Sequence, residues 1–140
     1  MMSRLALLFV FCSVAYSYGQ EYTVIGNETA VQSLTSAELK NVFKPRNSLW
    51  TNGRSVTIVL PGTTSPIRDR VARDIYNSSF VAMQKYWLSL VFQGRFSAPV
   101  ILNSDDDTIK FVKRTPGAIG IIQDASLAPS GLIIKLKSEP

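Results

Sequence analysis

The segment Leu60–Arg68, which reads Leu-Pro-Gly-Thr-Thr-Ser-Pro-Ile-Arg, brings a strand end, a glycine and three hydroxyl side chains together. The apolar run before it predicts a buried strand, and Ser65 followed by Pro66 is typical of a helix start. In parallel α/β sheets, ligands bind just beyond the carboxyl ends of strands. A helix N-terminus there presents unpaired N–H groups and a partial positive charge. The segment therefore predicts a binding site for an oxyanion.

The position of Arg68 strengthens this prediction. With Ser65 as the cap, Arg68 is the third helical residue, where a self-capped helix often has glutamate. The site then keeps its positive character, and the guanidinium offers a planar fork that fits phosphate or carboxylate. The predicted ligand-binding residues are Gly62, Thr63, Thr64, Ser65 and Arg68, with Asn27 and Arg54 as lesser contributors from loops expected at the same sheet edge.

A plainer interpretation of this segment stays open. Serine and threonine caps are common at helix starts, so the segment is also typical of an ordinary capped helix with Arg68 in solvent. Pro66 carries no N–H, which removes one amide that could bind an oxyanion.

Catalysis and metal binding have little support in the sequence. Histidine is absent from the 140 residues, which removes His-assisted nucleophiles and the commonest metal ligand. A serine and lysine pair is formally available, but no motif indicates one. Asp105–Asp107 lack the ligand spacing and the later glutamate of a calcium loop, so the first turn of a helix capped by Ser104 explains them better. We therefore predict no enzymatic activity, no cofactor and no metal.

Residues 1–19 have the pattern of a secretory signal peptide, with a basic start at Arg4, an apolar run of about ten residues and small residues that fit two cleavage sites. The run is shorter than the roughly 20 residues that span a bilayer. Cleavage would remove Cys12, the single cysteine, so we predict no disulfide and no thiol site. Residues 20–140 are then expected to form one exported domain, periplasmic or secreted, with no membrane span.

The charge of the chain favours anionic partners only weakly. The formal net charge is +5, and loss of Arg4 with the leader would leave +4. The basic residues are dispersed, with neither a block of lysine and arginine nor a basic stripe interleaved with aromatic residues. We therefore predict no nucleic-acid binding.

Strand and helix patterns alternate along residues 20–140. Thr35 and Glu38 form a capping box before an apolar helical face, and helix signals recur from Ser65, from Ser78 or Ser79 to Phe92, and from Ser104 to Arg114. The predicted strands are Glu21–Ile25, Val56–Leu60, Val100–Leu102, Ala118–Ile122 and Leu132–Ile134. This alternation predicts an α/β fold, a sandwich with a largely parallel sheet flanked by helices.

Four motifs follow one another along the chain, and together they extend over most of it after the leader. They are Ser33–Lys44 (SLTSAELKNVFK), Trp50–Gly53 (WTNG), the loop from Gly62 to Arg68, and Thr115–Gly120 (TPGAIG). In this order the chain resembles the phosphate-binding proteins of ABC uptake systems, specifically their type II periplasmic-binding-protein-like domain. The resemblance implies that fold, a periplasmic location and an oxyanion ligand.

The resemblance also has departures that bear on affinity. The family binds phosphate with a Gly-Ser-Gly-Thr loop at a helix start, and the matching residues here are Gly62–Ser65, which read Gly-Thr-Thr-Ser. Family members close two lobes over the ligand, whereas this chain has the length of one lobe. An uncovered anion site is screened by salt, so we expect binding in about the millimolar range unless a second subunit or partner covers it.

Two functions follow as hypotheses. The first is a non-catalytic binding-protein-like domain that binds phosphate or a related oxyanion. The alternative is an interaction or assembly module of the cell envelope, which keeps the fold without ligand binding and has an envelope protein or a second copy as its partner.

Overall fold

The computed structural model describes residues 22–44 and 48–139, so the predicted signal peptide and Cys12 lie outside the described residues. The described strands are β1 (Thr23–Gly26), β2 (Ser33–Thr35), β3 (Thr57–Pro61), β4 (Val100–Leu102), β5 (Ala118–Ile122) and β6 (Ile133–Lys137). The helices are α1 (Ser36–Phe43), α2 (Arg68–Tyr76), α3 (Phe80–Phe92) and α4 (Asp105–Arg114), and two short 3₁₀ turns, Ala125–Leu127 and Ser130–Leu132, precede β6.

The strands form one sheet in the order β2-β6-β1-β5-β3-β4. Strand β3 runs parallel to both of its neighbours, β4 and β5, and β2 runs parallel to β6. Strand β1 is antiparallel to both β5 and β6. The sheet is therefore mixed, with parallel pairings in the majority, and this confirms the α/β class predicted from the sequence.

Helices cover both faces of the sheet. On one face, α1, α2 and α3 bury Phe43, Val71 and Trp87 against strand residues that include Leu60. On the other face, α4 packs on a smaller cluster that includes Val59. Successive residues of a strand point to opposite faces, and β5 is buried along its whole length because it lies inside the sheet with helices on both sides.

The predicted helix starts with serine or threonine caps are confirmed at three helices. The Thr35 hydroxyl accepts from the Glu38 N–H at 3.2 Å, and the Glu38 carboxylate accepts from the Thr35 N–H at 2.7 Å. The Ser79 hydroxyl caps α3, and the Ser104 hydroxyl caps α4. These short-range bonds need only residues three apart, which is why the sequence pattern predicts them.

The aspartates at the start of α4 have structural partners. The Asp105 carboxylate accepts from the N–H groups of Gln123 and Asp124, at 2.8 and 2.9 Å, and so attaches α4 to the end of β5. Asp106 forms an ion pair with Lys110 at 2.8 Å.

A buried phenol joins the three helices on the larger face. The Tyr76 hydroxyl donates to the Phe43 carbonyl at 2.7 Å and accepts from the Trp87 Nε1–H at 2.9 Å. Burial raises the pKa of Tyr76 well above its ordinary value, because the charged phenolate would lose its hydration. The side chain therefore serves as a neutral structural link.

Candidate functional site

The predicted anion-binding loop lies at the carboxyl end of β3, beside the end of β4. The Gly62 N–H donates to the Leu102 carbonyl at 3.0 Å, and the Ser65 N–H donates back to the Gly62 carbonyl at 3.0 Å, which makes the loop a tight turn. A Cβ atom at Gly62 would overlap the Asn103 side chain and lie 2.9 Å from Ile101 Cγ2. Only glycine allows the loop to approach β4 this closely.

The helix after the loop begins later than the sequence indicated. Helix α2 starts at Arg68 with Ile67 at the cap position and no side-chain cap, so the prediction of Ser65 as the cap is wrong. The Ile67 side chain is buried, and its backbone, with φ −101° and ψ 2°, lies outside the helical region. Arg68 is consequently the first helical residue, and Asp69 in the first turn partly offsets the positive helix end.

The loop hydroxyls divide into one buried group and two exposed ones. Ser65 is buried, and its hydroxyl accepts weakly from the Ile67 N–H at 3.4 Å. Thr63 and Thr64 are exposed at the tip of the loop. Ser65 therefore shapes the turn, whereas the two threonine hydroxyls are accessible to a ligand.

One amide of the loop already has a side-chain acceptor. The Thr64 N–H donates to Asn103 Oδ1 at 3.1 Å, and both residues are exposed. Within the described residues, the N–H of Thr63 has no acceptor. The Asn103 oxygen thus occupies one position in which an oxygen of a bound anion could accept.

Sequence reasoning missed Asn103, although a signal for it exists. It directly follows the apolar run Val100–Leu102, and a polar residue at the carboxyl end of a strand beside β3 lies at the binding edge of the sheet.

The Arg68 side chain turns toward the loop and not away from it. One guanidinium N–H donates to the Thr63 carbonyl at 2.7 Å. The guanidinium carbon lies 4.9 Å from the ring centre of Phe80, and Nε is 3.6 Å from the Asp69 carboxylate. About a third of the side chain is exposed, at 34%, and a guanidinium has five N–H donors. Arg68 can therefore hold its place beside the loop and still donate to a ligand.

The structure does not bring Asn27 and Arg54 to this site. Asn27 follows β1, which is antiparallel to β5, so it lies at the sheet edge opposite the Gly62 loop. Its Nδ2 donates to the carbonyls of Val112 and Lys113, at 3.0 and 3.1 Å, and thereby caps the end of α4. Arg54 precedes β3 at the same opposite edge and pairs with Glu28 at 3.1 Å. The expectation of a shared edge is therefore wrong for both residues.

The TPGAIG motif lies at that opposite edge too, and its contacts are structural. The Gly117 carbonyl accepts from the Trp50 indole N–H at 2.8 Å and from the Thr57 N–H at 3.1 Å. The Gly117 N–H donates to the Asn27 carbonyl at 2.7 Å. The turn thus joins β1, β3 and β5 at the end of the sheet opposite the Gly62–Arg68 loop.

The chemistry of the site is that of hydrogen-bond donation. The segment from Gly62 to Arg68 presents two hydroxyls, an amide and a guanidinium, and it contains no carboxylate. Among the described residues, no group of three acidic, histidine or cysteine side chains is arranged to hold a metal. No helix in the described ranges is long and apolar enough to cross a membrane.

Comparison with known proteins identifies solved structures that share this fold. No protein-family model matches the sequence, and no curated protein matches it. Solved structures do match. They include PstS from Borrelia burgdorferi, with a TM-score of 0.59, 14% identity and coverage of 86% of this chain and 49% of that one. A possible phosphate binding protein from Planctomyces limnophilus DSM 3776 has a TM-score of 0.58, 18% identity and coverage of 85% of this chain and 41% of that one. An ABC-type phosphate transport receptor from Vibrio cholerae has a TM-score of 0.54, 17% identity and coverage of 86% and 48%.

These likenesses show the fold. Most of this chain aligns, while the chain spans less than half of the length of each of the three solved proteins. The fold that the motif order implied is therefore confirmed at the level of architecture.

Proposed function

We propose that this protein is a non-catalytic binding-protein-like domain that binds phosphate or a related oxyanion at the Gly62–Arg68 loop. The observation that carries the proposal is the Arg68 guanidinium, which donates to the Thr63 carbonyl and remains partly exposed beside two accessible threonine hydroxyls. The likeness of the fold to a possible phosphate binding protein and to an ABC-type phosphate transport receptor adds support.

The residues of the loop have different roles in this proposal. Gly62 and Ser65 set the shape of the turn through their buried positions and their mutual hydrogen bond. The hydroxyls of Thr63 and Thr64 and the N–H of Thr63 donate to the anion. Arg68 supplies the positive charge, and its planar fork suits two oxygens of one tetrahedral anion. Asn103 competes for the N–H of Thr64 until the anion replaces its oxygen.

The proposed site should bind weakly because it is open to solvent. Charges at an exposed site are screened by salt, and nothing in the described residues covers the loop tip. A few hydrogen bonds and one exposed charge pair support a dissociation constant in about the millimolar range. A second subunit or a partner that covers the loop would raise the affinity by excluding water.

The leader pattern in residues 1–19 supports export, and in this proposal the domain acts in the periplasm or outside the cell, in association with ABC-type uptake. Donor groups without a nucleophile and a base bind an anion without transforming it, so no catalytic step is proposed.

Isothermal titration with phosphate and with sulfate at low salt tests the proposal. The wild type should release or take up heat with at least one anion, and Arg68→Ala should reduce the affinity by about tenfold, as expected for loss of a hydrogen bond to a charged group. Arg73→Ala is the matched control, because Arg73 lies on the same helix and its side chain is 65% exposed. Absence of heat with both anions would overturn the proposal and favour the alternative envelope module.

A further inference from the structure

Helix α3 is apolar on two faces, and only one of them is covered. Phe80, Met83, Trp87 and Leu90 are buried against the sheet. A second set, Val81, Leu88, Val91 and Phe92, is exposed, with Leu88 at 56% and Phe92 at 82%. An ordinary surface helix presents charged and polar residues on its outer side, so this second apolar face is unusual for a surface in water.

The second face borders a groove between α3 and the edge strand β4. The groove has a volume of about 250 Å³, and its apolar lining includes Leu60, Phe80, Met83, Leu88, Val91 and Ile101. Ile101 is itself 54% exposed. A concave apolar surface of this kind accepts inserted side chains better than it accepts a flat partner.

The wall formed by β4 carries an open strand edge. The Leu102 carbonyl accepts from the N–H of Gly62, the residue directly after β3. Because successive residues of a parallel strand bond to opposite sides, the N–H and C=O of Ile101 point away from β3. Strand β4 ends the sheet order, and no strand of the described residues pairs with its outer side. The groove therefore combines an apolar lining with the unpaired N–H and C=O of Ile101.

The stretch of chain that supplies most of the groove lining carries positive charges only. The stretch from Phe80 to Leu102 contains Lys85 and Arg95 and no acidic residue. The Arg68 guanidinium lies 4.9 Å from the ring centre of Phe80, which lines the groove, and it is also paired with Asp69.

We propose that this groove binds an extended segment of a partner protein, in which apolar residues alternate with aspartate or glutamate, and that the segment adds to β4 as a further strand. The main chain of the segment would pair with Ile101, one row of side chains would fill the groove, and the carboxylates would face Lys85, which lies one turn from Leu88 on α3. The inference does not depend on anion binding at the Gly62–Arg68 loop.

Two other occupants fit the observations less well. A lipid bilayer would leave the outward N–H and C=O of Ile101 without partners, because hydrocarbon offers no hydrogen bonds to an open strand edge. A second copy paired through the same face would place two stretches of positive charge, each with Lys85 and Arg95 and no carboxylate, next to each other.

Fluorescence anisotropy with a short end-blocked peptide of alternating valine and glutamate tests the proposal. The wild type should bind this peptide and not the version with lysine in place of glutamate. Leu88→Asn should weaken binding about tenfold through loss of apolar burial. Ile101→Pro should also weaken it, since proline removes the outward N–H while β4 keeps its bonds to β3. Leu127→Asn is the matched control, because Leu127 is also 56% exposed and lies outside the groove.

Thermal unfolding of each variant confirms that it is folded before binding is compared. No binding of the glutamate peptide, equal binding of the lysine peptide, or equal loss in Leu127→Asn overturns the proposal. Two further outcomes overturn it. If the wild type sediments with phosphatidylglycerol vesicles and Leu88→Asn does not, the groove binds a membrane. If the wild type self-associates in sedimentation equilibrium and Leu88→Asn does not, the groove binds a second copy.

Discussion

Asn103 provides the sharpest test of how the loop binds an anion, because its side-chain oxygen accepts from the Thr64 N–H, which the anion also needs. The bond from the Thr64 N–H to Asn103 Oδ1 is 3.1 Å long and exposed. A bond of this kind contributes about 0.5–1.5 kcal/mol net, which corresponds to a change of roughly two- to tenfold in a dissociation constant. Asn103→Ala removes the competitor, so it should tighten phosphate binding by that factor.

Asn103→Asp should act in the opposite direction. A carboxylate in the same place still accepts from Thr64, and it brings a like charge next to the bound anion. Two unit charges about 4 Å apart repel by roughly 1–4 kcal/mol between the dielectric of water and that of a protein surface, which weakens binding at least about fivefold. The two variants are nearly equal in size to the wild type or smaller, and residue 103 is exposed, so folding should be unaffected.

Isothermal titration of the wild type and both variants with phosphate at low salt measures the order of affinities. The expected order is alanine variant first, wild type second and aspartate variant last. Weaker binding by Asn103→Ala, or equal binding by all three proteins, would refute the reasoning that the Asn103 oxygen and the anion compete for one N–H.

Three further predictions concern the stability of the fold and the electrostatics of the site. Gly117→Ala should cost more than about 2 kcal/mol of unfolding free energy, since φ is +88° and the new Cβ would overlap the Ser55 carbonyl oxygen, while Gly131→Ala, in open space, should be neutral by urea unfolding. Burial raises the pKa of Tyr76 in the folded protein. Above about pH 10 the phenol therefore ionises more readily in the unfolded chain, which lowers the free energy of unfolding of the wild type. Tyr76→Phe should make this decline with pH less steep. The same variant should cost about 1–3 kcal/mol near neutral pH, because Trp87 loses its acceptor. Raising the ionic strength from about 0.01 to 0.15 M, which shortens the screening length from roughly 30 to 8 Å, should weaken phosphate binding in isothermal titration.

Much of the fold could be predicted because its signals are local. The caps at Thr35, Ser79 and Ser104 depend on residues three apart, and the structure confirms each of them. The apolar runs of β3, β4 and β5 mark buried or edge strands directly in the sequence. Alternation of such strands with capped helices is sufficient to indicate the α/β class.

The errors arise where long-range pairing decides the outcome. Nothing in the local sequence shows that β1 pairs antiparallel to β5 and β6, and this direction takes Asn27 away from the loop. Arg54 is far from the loop for a simpler reason, because it precedes β3 whereas the loop follows β3. The short strand β2 was missed for the same reason, because its three residues acquire their partner only when β6 pairs with them.

In the Gly62–Arg68 loop, tertiary packing overrides the local preference of the sequence for a helix start. Ser65 and Pro66 are favourable helix-start residues, yet burial of Ile67 delays the helix to Arg68 and turns Ser65 inward. Asn103 enters the loop only through the pairing of β4 with β3. Its place after the apolar run Val100–Leu102 indicates the carboxyl end of a strand, but only the strand order shows that this end lies beside the Gly62 loop.

The most direct test of the central claim is a titration with phosphate followed by ¹⁵N nuclear magnetic resonance of the backbone amides. The account predicts that the largest shifts fall on Thr63 and Thr64 and on the first residues of α2, and that Arg68→Ala needs about tenfold more phosphate to reach the same shifts. Shifts that centre on Gly117, Asn27 and Arg54 at the opposite sheet edge, or the absence of shifts at saturating phosphate, would contradict it.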